Sequence, residues 1–397
     1  MKTKFIIAIM GWILFASAVN AKTEIKIWGV EDKGTMTPTL TQEYANKRGD
    51  VVIDYRFIPF DNLNQEYMRA FATSSAPDIL MINTTDTHFY AKSGQLLDLT
   101  DRVKASEVIK FDQIFPGYQA AVTYNGHIFE VPKGADTIML YYNKAMAKAA
   151  GISSAPKSWA ELADYAKRMT KLDARVFGIA FSAKNNQEGP WQWLPFARMA
   201  GAEWDNINTA GGVRALTLWR DFVANHEASP EVLVWSQGDA ASSFRSGQAA
   251  MVIQGSWDVK EMAKAPFDWG LWMLPPEKEG GQRVSAAGNF TYAIPASAKN
   301  PDLAFKFIEY IYSQGDRSWN EFSDLPARAV TPISVKYPEA YAAFLQQLKY
   351  GRVLGPFERW NEVSSALQEA IQSTLSRSAT PEDALTRAAA TIGTLTK

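Results

Sequence analysis

The residues of this sequence that could do chemistry stand at the ends of short apolar runs. Asp32 follows Ile25–Trp28 in the loop Glu31-Asp32-Lys33, and Asn83-Thr84-Thr85-Asp86 follows Ile79–Ile82. Asp136 lies between two apolar runs, Ile128–Val131 and Thr137–Tyr142, that are separated by Pro132 and Gly134. Trp257 closes the run Ala249–Ile253 just after Gly255, a residue that lets a backbone approach closely. Trp191 and Trp193 stand between Pro190 and Pro195; in an extended segment, residues two apart point the same way. Asn289 sits inside Ala286–Pro295, while Arg328 and Trp360 lie near connections between late helices. Carboxylates and amides make hydrogen bonds, the charge-assisted ones being the strong kind. Each Trp ring can bury roughly 150–250 Å² of apolar surface. That combination suits non-covalent capture of a polar solute.

No motif supports another chemistry. His88, His127 and His226 are scattered, without H-E-x-x-H spacing, and neither a G-x-G-x-x-G fingerprint nor a P-loop is present. No metal, cofactor or catalytic residue is therefore assigned. Lys+Arg 41 against Asp+Glu 42 leaves no basic field, so nucleic acid is not an expected partner.

The elements that must position these residues read as follows. Thr23–Trp28, Val51–Ile58 and Asp78–Ile82 are predicted strands, separated by helices that open at Thr37-Pro38 and near Leu63. Strand and helix alternating over short links imply right-handed βαβ units and a parallel sheet. Ligands in such sheets lie beyond the carboxyl ends of the strands, where Asp32 and Asn83–Asp86 are found. The break at Pro132-Lys-Gly134 is where the chain is expected to leave one lobe for another, since Pro cannot donate to a sheet ladder. Ser158-Trp-Ala-Glu161 predicts a capping box, Val176–Phe181 a strand, and Ala286–Pro295 a strand returning to the first lobe. Thr380-Pro381-Glu-Asp383 predicts the start of the last helix. The fold class is α/β with two discontinuous lobes hinged around a cleft. Residues 22–132 and 287–328 form the first lobe, and 133–286 and 329–397 the second.

Residues 1–21 read as a cleaved signal peptide. Lys2 and Lys4 precede an apolar run from Phe5 to Val19, and Val19-Asn20-Ala21 offers the small residues of a cleavage site. A membrane span needs about 20 apolar residues, so the mature chain is expected to carry no membrane insertion. Loss of Lys2 and Lys4 shifts the formal net charge from −1 to −3. The chain has no Cys, hence no disulfide and no lipid attached through an N-terminal Cys. A soluble monomer in a bacterial periplasm, not a lipoprotein, is the expected product.

In five separated stretches the chain resembles the bacterial extracellular solute-binding proteins that feed ABC importers of sugars, and in particular maltose-binding-protein-like members. These are Ile27–Gly34, Pro77–Ile82 with Ala91–Gly94, Val131–Asn143, Trp191 after its proline, and Phe244–Trp257, with Trp360 near a late aromatic. The resemblance implies a type II periplasmic-binding-protein fold, a sugar-contacting carboxylate at Asp136, and delivery to inner-membrane permease subunits. Together with the positions read above, it gives a candidate ligand-binding set of Asp32, Asn83, Thr85, Asp86, Asp136, Trp191, Trp193, Gly255, Trp257, Asn289, Arg328 and Trp360. Two departures stand out: Ile82 replaces an aromatic, and Asp86 replaces an Arg. A different or shorter glycan than maltodextrin is the expected ligand. The alternatives are a non-sugar solute (polyamine, phosphate ester or organic acid) on the same fold, and a secreted glycoside hydrolase using two carboxylates.

Overall fold

The structure, a computed structural model, describes residues 22–315, 317–328, 334–355 and 357–397. Its strands in chain order are β1 (Thr23–Gly29), β2 (Val51–Phe57), β3 (Ile79–Asn83), β4 (Thr123–Tyr124), β5 (His127–Ile128), β6 (Glu130–Pro132), β7 (Asp136–Asn143), β8 (Met251–Gly255), β9 (Trp269–Trp272), β10 (Ser285–Gly288), β11 (Phe290–Ala293) and β12 (Gly351–Val353). Two sheets organise two lobes. The first has the order β2-β1-β3-β11-β6, with β1 parallel to both neighbours and β11 antiparallel to β3 and β6. The second has the order β12-β10-β7-β8, with β9 also paired to β7.

Each sheet has its own apolar core. Ile25, Ile27, Leu40, Ile79, Met81, Val131 and Tyr292 are buried around the first. Ile138, Leu140, Phe181, Trp193, Trp219, Ile253 and Leu367 are buried around the second. The helices Trp360–Leu375 and Pro381–Leu395 pack on this second core, and Thr380 Oγ accepts a capping bond from Asp383 N at 3.1 Å, as its sequence predicts.

The chain passes between sheets where two apolar runs break. β6 ends at Pro132 in the first sheet, and β7 starts at Asp136 in the second. The run Ala286–Pro295 is not one strand: β10 belongs to the second sheet, β11 to the first, and Asn289 is the joint. A third segment lies beside these, since Ala135 N donates to Leu325 O at 2.9 Å. Gly134 is required here. A Cβ on it would lie 2.6 Å from Leu325 O and 2.7 Å from the Asn289 amide nitrogen.

Several local expectations are corrected. The first helix, Met36–Arg48, opens at Thr35, so Pro38 falls within the first turn. Ser158 caps Glu161 N at 3.2 Å, but the Glu161 carboxylate accepts from Lys157 N instead of closing the box on Ser158. Val176–Phe181 is no regular strand. It runs beside β8 and the residues before it through isolated bridges, Phe177 with Ala249 and Ala180 with Val252, with Gly178 pressed onto the Ala166 carbonyl of the neighbouring helix. The segment around Trp191 and Trp193 is not extended but helical, Glu188–Met199. At 3.6 residues per turn, residues two apart face nearly opposite sides. Trp193 is therefore fully buried in the second core, while Trp191 is only partly buried.

Candidate functional site

A cavity of about 380 Å³ lies between the lobes at the three crossings. The first lobe brings Glu31 and Asp32 from the loop after β1, and Asn83 and Thr85 from the end of β3. The crossings bring Lys133, Asp136, Asn289 and Asp324. Trp191, Trp257 and Trp360 come from elements packed on the second core, and Phe60 and Phe290 from the first lobe.

The polar floor is tightly bonded. Ser256 Oγ donates to Asp136 Oδ1 at 2.6 Å, and Asn289 Nδ2 donates to Asp136 Oδ2 at 2.7 Å. Burial, followed by the neighbouring charge of Asp324, pushes Asp136 up to about 7. Lys133 Nζ bridges Glu31 at 3.0 Å and Asp324 at 2.5 Å. Burial works against the charged form of Lys133, but the two carboxylates outweigh it and hold the ammonium charged. Burial likewise pushes Asp324 up to about 6, and its ion pair with Lys133 pulls the other way. At neutral pH the paired, ionised form prevails. Glu188 is also raised by burial, and its carboxylate accepts from Gln237 N at 2.9 Å and Ser182 Oγ at 3.1 Å.

The aromatic walls depend on missing side chains. Trp191 lies over Gly288, where a Cβ would stand 2.6 Å from its ring. The Trp257 indole lies on Gly255, where a Cβ would stand 1.9 Å away. Gly255 thus seats Trp257 instead of lining the cavity itself. Trp360 is 1% exposed and closes the cavity from the first turn of its helix.

The structure therefore brings together Asp32, Asn83, Thr85, Asp136, Trp191, Trp257, Asn289 and Trp360 around one cavity. Besides Gly255, three expected residues lie outside its walls. Trp193 belongs to the core, for the helical reason given above. Arg328 donates to the Ile109 carbonyl at 3.2 Å and bridges Ile114 in the first lobe, away from the cavity. Asp86 is buried and borders a second cavity of about 430 Å³ further along the cleft. Burial pushes Asp86 up to about 6, against the hydrogen bonds from Asn64 and Gln187.

Sequence reading missed Lys133, Asp324, Gln187, Glu188 and Phe60. Lys133 carried a signal, because a cation three residues before an acid within an otherwise apolar hinge stretch has to find a partner. Asp324 and Gln187 carried none, because their roles arise from segments distant in sequence.

The lobes also meet on both flanks of the cleft. Lys184 pairs with Asp61 at 2.6 Å, Asn186 Nδ2 donates to Asp61 at 2.8 Å, and Lys92 forms an ion pair with Glu358. Among the described residues, no group of His, Cys, Asp and Glu could hold a metal ion, and no helix is long and apolar enough to cross a membrane.

Comparison with known proteins agrees with this architecture. The galactooligosaccharide-binding protein of Bacillus subtilis (strain 168) is 25% identical over 281 residues, covering 66% of this chain and 65% of that protein. The sn-glycerol-3-phosphate-binding periplasmic protein of Escherichia coli O1:K1 is 28% identical over 335 residues, covering 76% of this chain and 73% of its own length. The chain thus matches just under two thirds of the first relative. The solved structure of maltose-bound T. maritima MalE3 superposes with a TM-score of 0.86 at 21% identity, covering 94% of this chain and 100% of that one, and shows a shared fold. The profile of bacterial extracellular solute-binding proteins matches residues 31–317. A two-lobed chain whose polar and aromatic residues converge on an interlobe cavity, and which this profile matches over most of its length, belongs to the bacterial extracellular solute-binding protein family.

Proposed function

We propose that this protein captures a mono- or short oligosaccharide in the interlobe cavity and delivers it to the permease of an ABC importer. The observation that carries this reading is the pairing of hydrogen-bonding groups with flat rings around one cavity. Asp32, Asn83, Thr85, Asp136 and Asn289 face Trp191, Trp257 and Trp360. A sugar offers hydroxyls to the first set and C–H faces to the second. Ligand that touches both lobes stabilises the closed arrangement, because only closure makes both sets of contacts. The bound lobe angle is what a membrane partner would read.

The charges argue against a phosphate ester, despite the Escherichia coli relative. Glu31, Asp32, Asp136, Glu188 and Asp324 line the cavity against Lys133, which is already shared by two carboxylates. A polyamine is the second reading, favoured by that acidic excess beside aromatic rings. Hydrolysis is disfavoured by the engagement of Asp136 and Asp324, each held by neighbouring donors instead of standing free as an acid–nucleophile pair.

Thermal unfolding of residues 22–397 with mono- and oligosaccharides, polyamines and phosphate esters tests the reading. A ligand at a thousand times its Kd adds about 4 kcal/mol, a shift of several degrees. Stabilisation by a saccharide recovered intact is expected. Stabilisation by polyamines alone would replace the ligand class, and cleaved saccharide would make the protein an enzyme.

A further inference from the structure

The cleft holds two chambers. The inner one, of about 380 Å³, and the outer one, of about 430 Å³, share Phe60, Asn83 and Gln187 in their walls. Gln187 precedes the helix Glu188–Met199 of the second lobe, and its side chain reaches across to the first. Its Oε1 accepts from Asn83 Nδ2 at 3.1 Å and Thr85 Oγ at 2.9 Å. Its Nε2 donates to Asn361 Oδ1 at 2.8 Å and, more loosely, to Asp86 Oδ1 at 3.4 Å. Both ends of the amide are occupied, so swinging it aside would leave several half-buried polar groups unpaired. The outer chamber is not an apolar void. Asp61, Asn64, Asp86, Lys184 and Gln368 line it beside Phe60 and Tyr67, a polar wall with ring faces as in the inner chamber.

We infer that Gln187 is the specificity-determining residue for ligand length: its cross-lobe amide ends the inner chamber and confines the saccharide there. This rests on the proposed saccharide ligand. The inner chamber is at the small end of ligand pockets, which span roughly 300–1,000 Å³. A longer chain has to enter the outer chamber, and the path runs through the position of Gln187. Removing that side chain joins two chambers whose walls can both bond hydroxyls.

Calorimetric titration with mono- to tetrasaccharides of the α-1,4-glucan and galactan series tests this on the wild type, Gln187→Ala and Lys92→Ala. The Lys92 variant loses an interlobe ion pair with Glu358 whose two residues line neither chamber, so it serves as the control for closure. Wild type is expected to bind the shorter members at least about tenfold more tightly than the tetrasaccharide. In Gln187→Ala that ratio shrinks by about tenfold or reverses, while in Lys92→Ala it stays constant. If Gln187→Ala weakens every length by one common factor, Gln187 is a closing contact and the length assignment is wrong. A wild type that binds the tetrasaccharide as tightly as the monosaccharide overturns it as well. A wild type that binds no saccharide of any length removes the proposed function, and this inference with it.

Discussion

Asp136 combines burial with two donated hydrogen bonds, and its carboxyl keeps its proton up to about pH 7. A hydroxyl-bearing ligand gains most from the ionised form, which accepts charge-assisted bonds. Below pH 7 binding must first expel the proton, at roughly 1.4 kcal/mol per pH unit. Affinity is therefore expected to rise from pH 5.5 to about 7.5 and then level. In Asp136→Asn affinity falls and the pH dependence flattens, which calorimetry across that range would show; an unchanged slope would assign the titration elsewhere. The two tryptophans of one helix and the one after β8 make a second contrast. Trp257→Ala removes a cavity wall and should weaken binding by roughly 1.5–3 kcal/mol, the worth of one buried aromatic, with little loss of stability. Trp193→Ala leaves a hole in a sealed core and should lose about 3–5 kcal/mol of stability. Chemical denaturation alongside calorimetry separates the two.

At the scale of elements, the crossings both join the lobes and carry the site. Lys133, Gly134 and Asp136 occupy one crossing, Asn289 another and Asp324 the third, and they contact one another directly. Gly134→Ala drives a methyl group into Leu325 O and the Asn289 amide. Overpacking of this kind costs about 1–3 kcal/mol, and the displaced Asn289 should also weaken ligand binding. A variant with wild-type stability and affinity would show that the crossing gives way freely. Lys133→Met leaves Glu31 and Asp324 buried without their cation. Breaking a buried pair in this way costs about 3–5 kcal/mol. The loss should be smaller at pH 5 than at pH 8, because the stranded Asp324, raised by burial, can then take up a proton; urea unfolding at both values would test this.

Across the whole molecule, several carboxyls hold protons in the folded state that they would lose when unfolded. Glu130, on β6 beside β11, is fully buried, accepting from Thr87 Oγ at 2.7 Å and Thr291 Oγ at 2.5 Å, and burial pushes it up to about 8. Burial pushes Asp86 and Asp258 up to about 6. An acid whose folded pKa is raised contributes stability that is complete below its unfolded value and fades as pH rises through the folded one. The thermal midpoint is therefore expected to fall between pH 5 and pH 8.5. Glu130→Gln should flatten the upper part of that slope, as scanning calorimetry at fixed salt would show; an equal slope in the variant would exclude Glu130 as its source. The flank contacts between lobes are partly exposed ion pairs, each worth about 0–1 kcal/mol. Such contacts leave the balance between open and closed forms to the ligand.

The sequence alone singled out Asp32, Asn83, Thr85 and Trp257, which the fold brings around one cavity, and the break at Pro132-Lys-Gly134, where the chain changes sheets. Those signals are local: a strand's carboxyl end, a glycine beside an aromatic, a proline that stops a ladder. It also carried the two-lobed α/β class, because βαβ spacing and an interrupted strand are written in consecutive residues. It misread Trp193, because a Pro-flanked Trp-x-Trp segment fits an extended run and a helix equally well, and packing on the second core selected the helix. Arg328 was drawn away by the Ile109 carbonyl. The cation at Lys133, its partner Asp324 and the cross-lobe amide of Gln187 were decided only by tertiary structure. Each is defined by contacts between segments far apart in the chain, and burial is what makes those contacts strong.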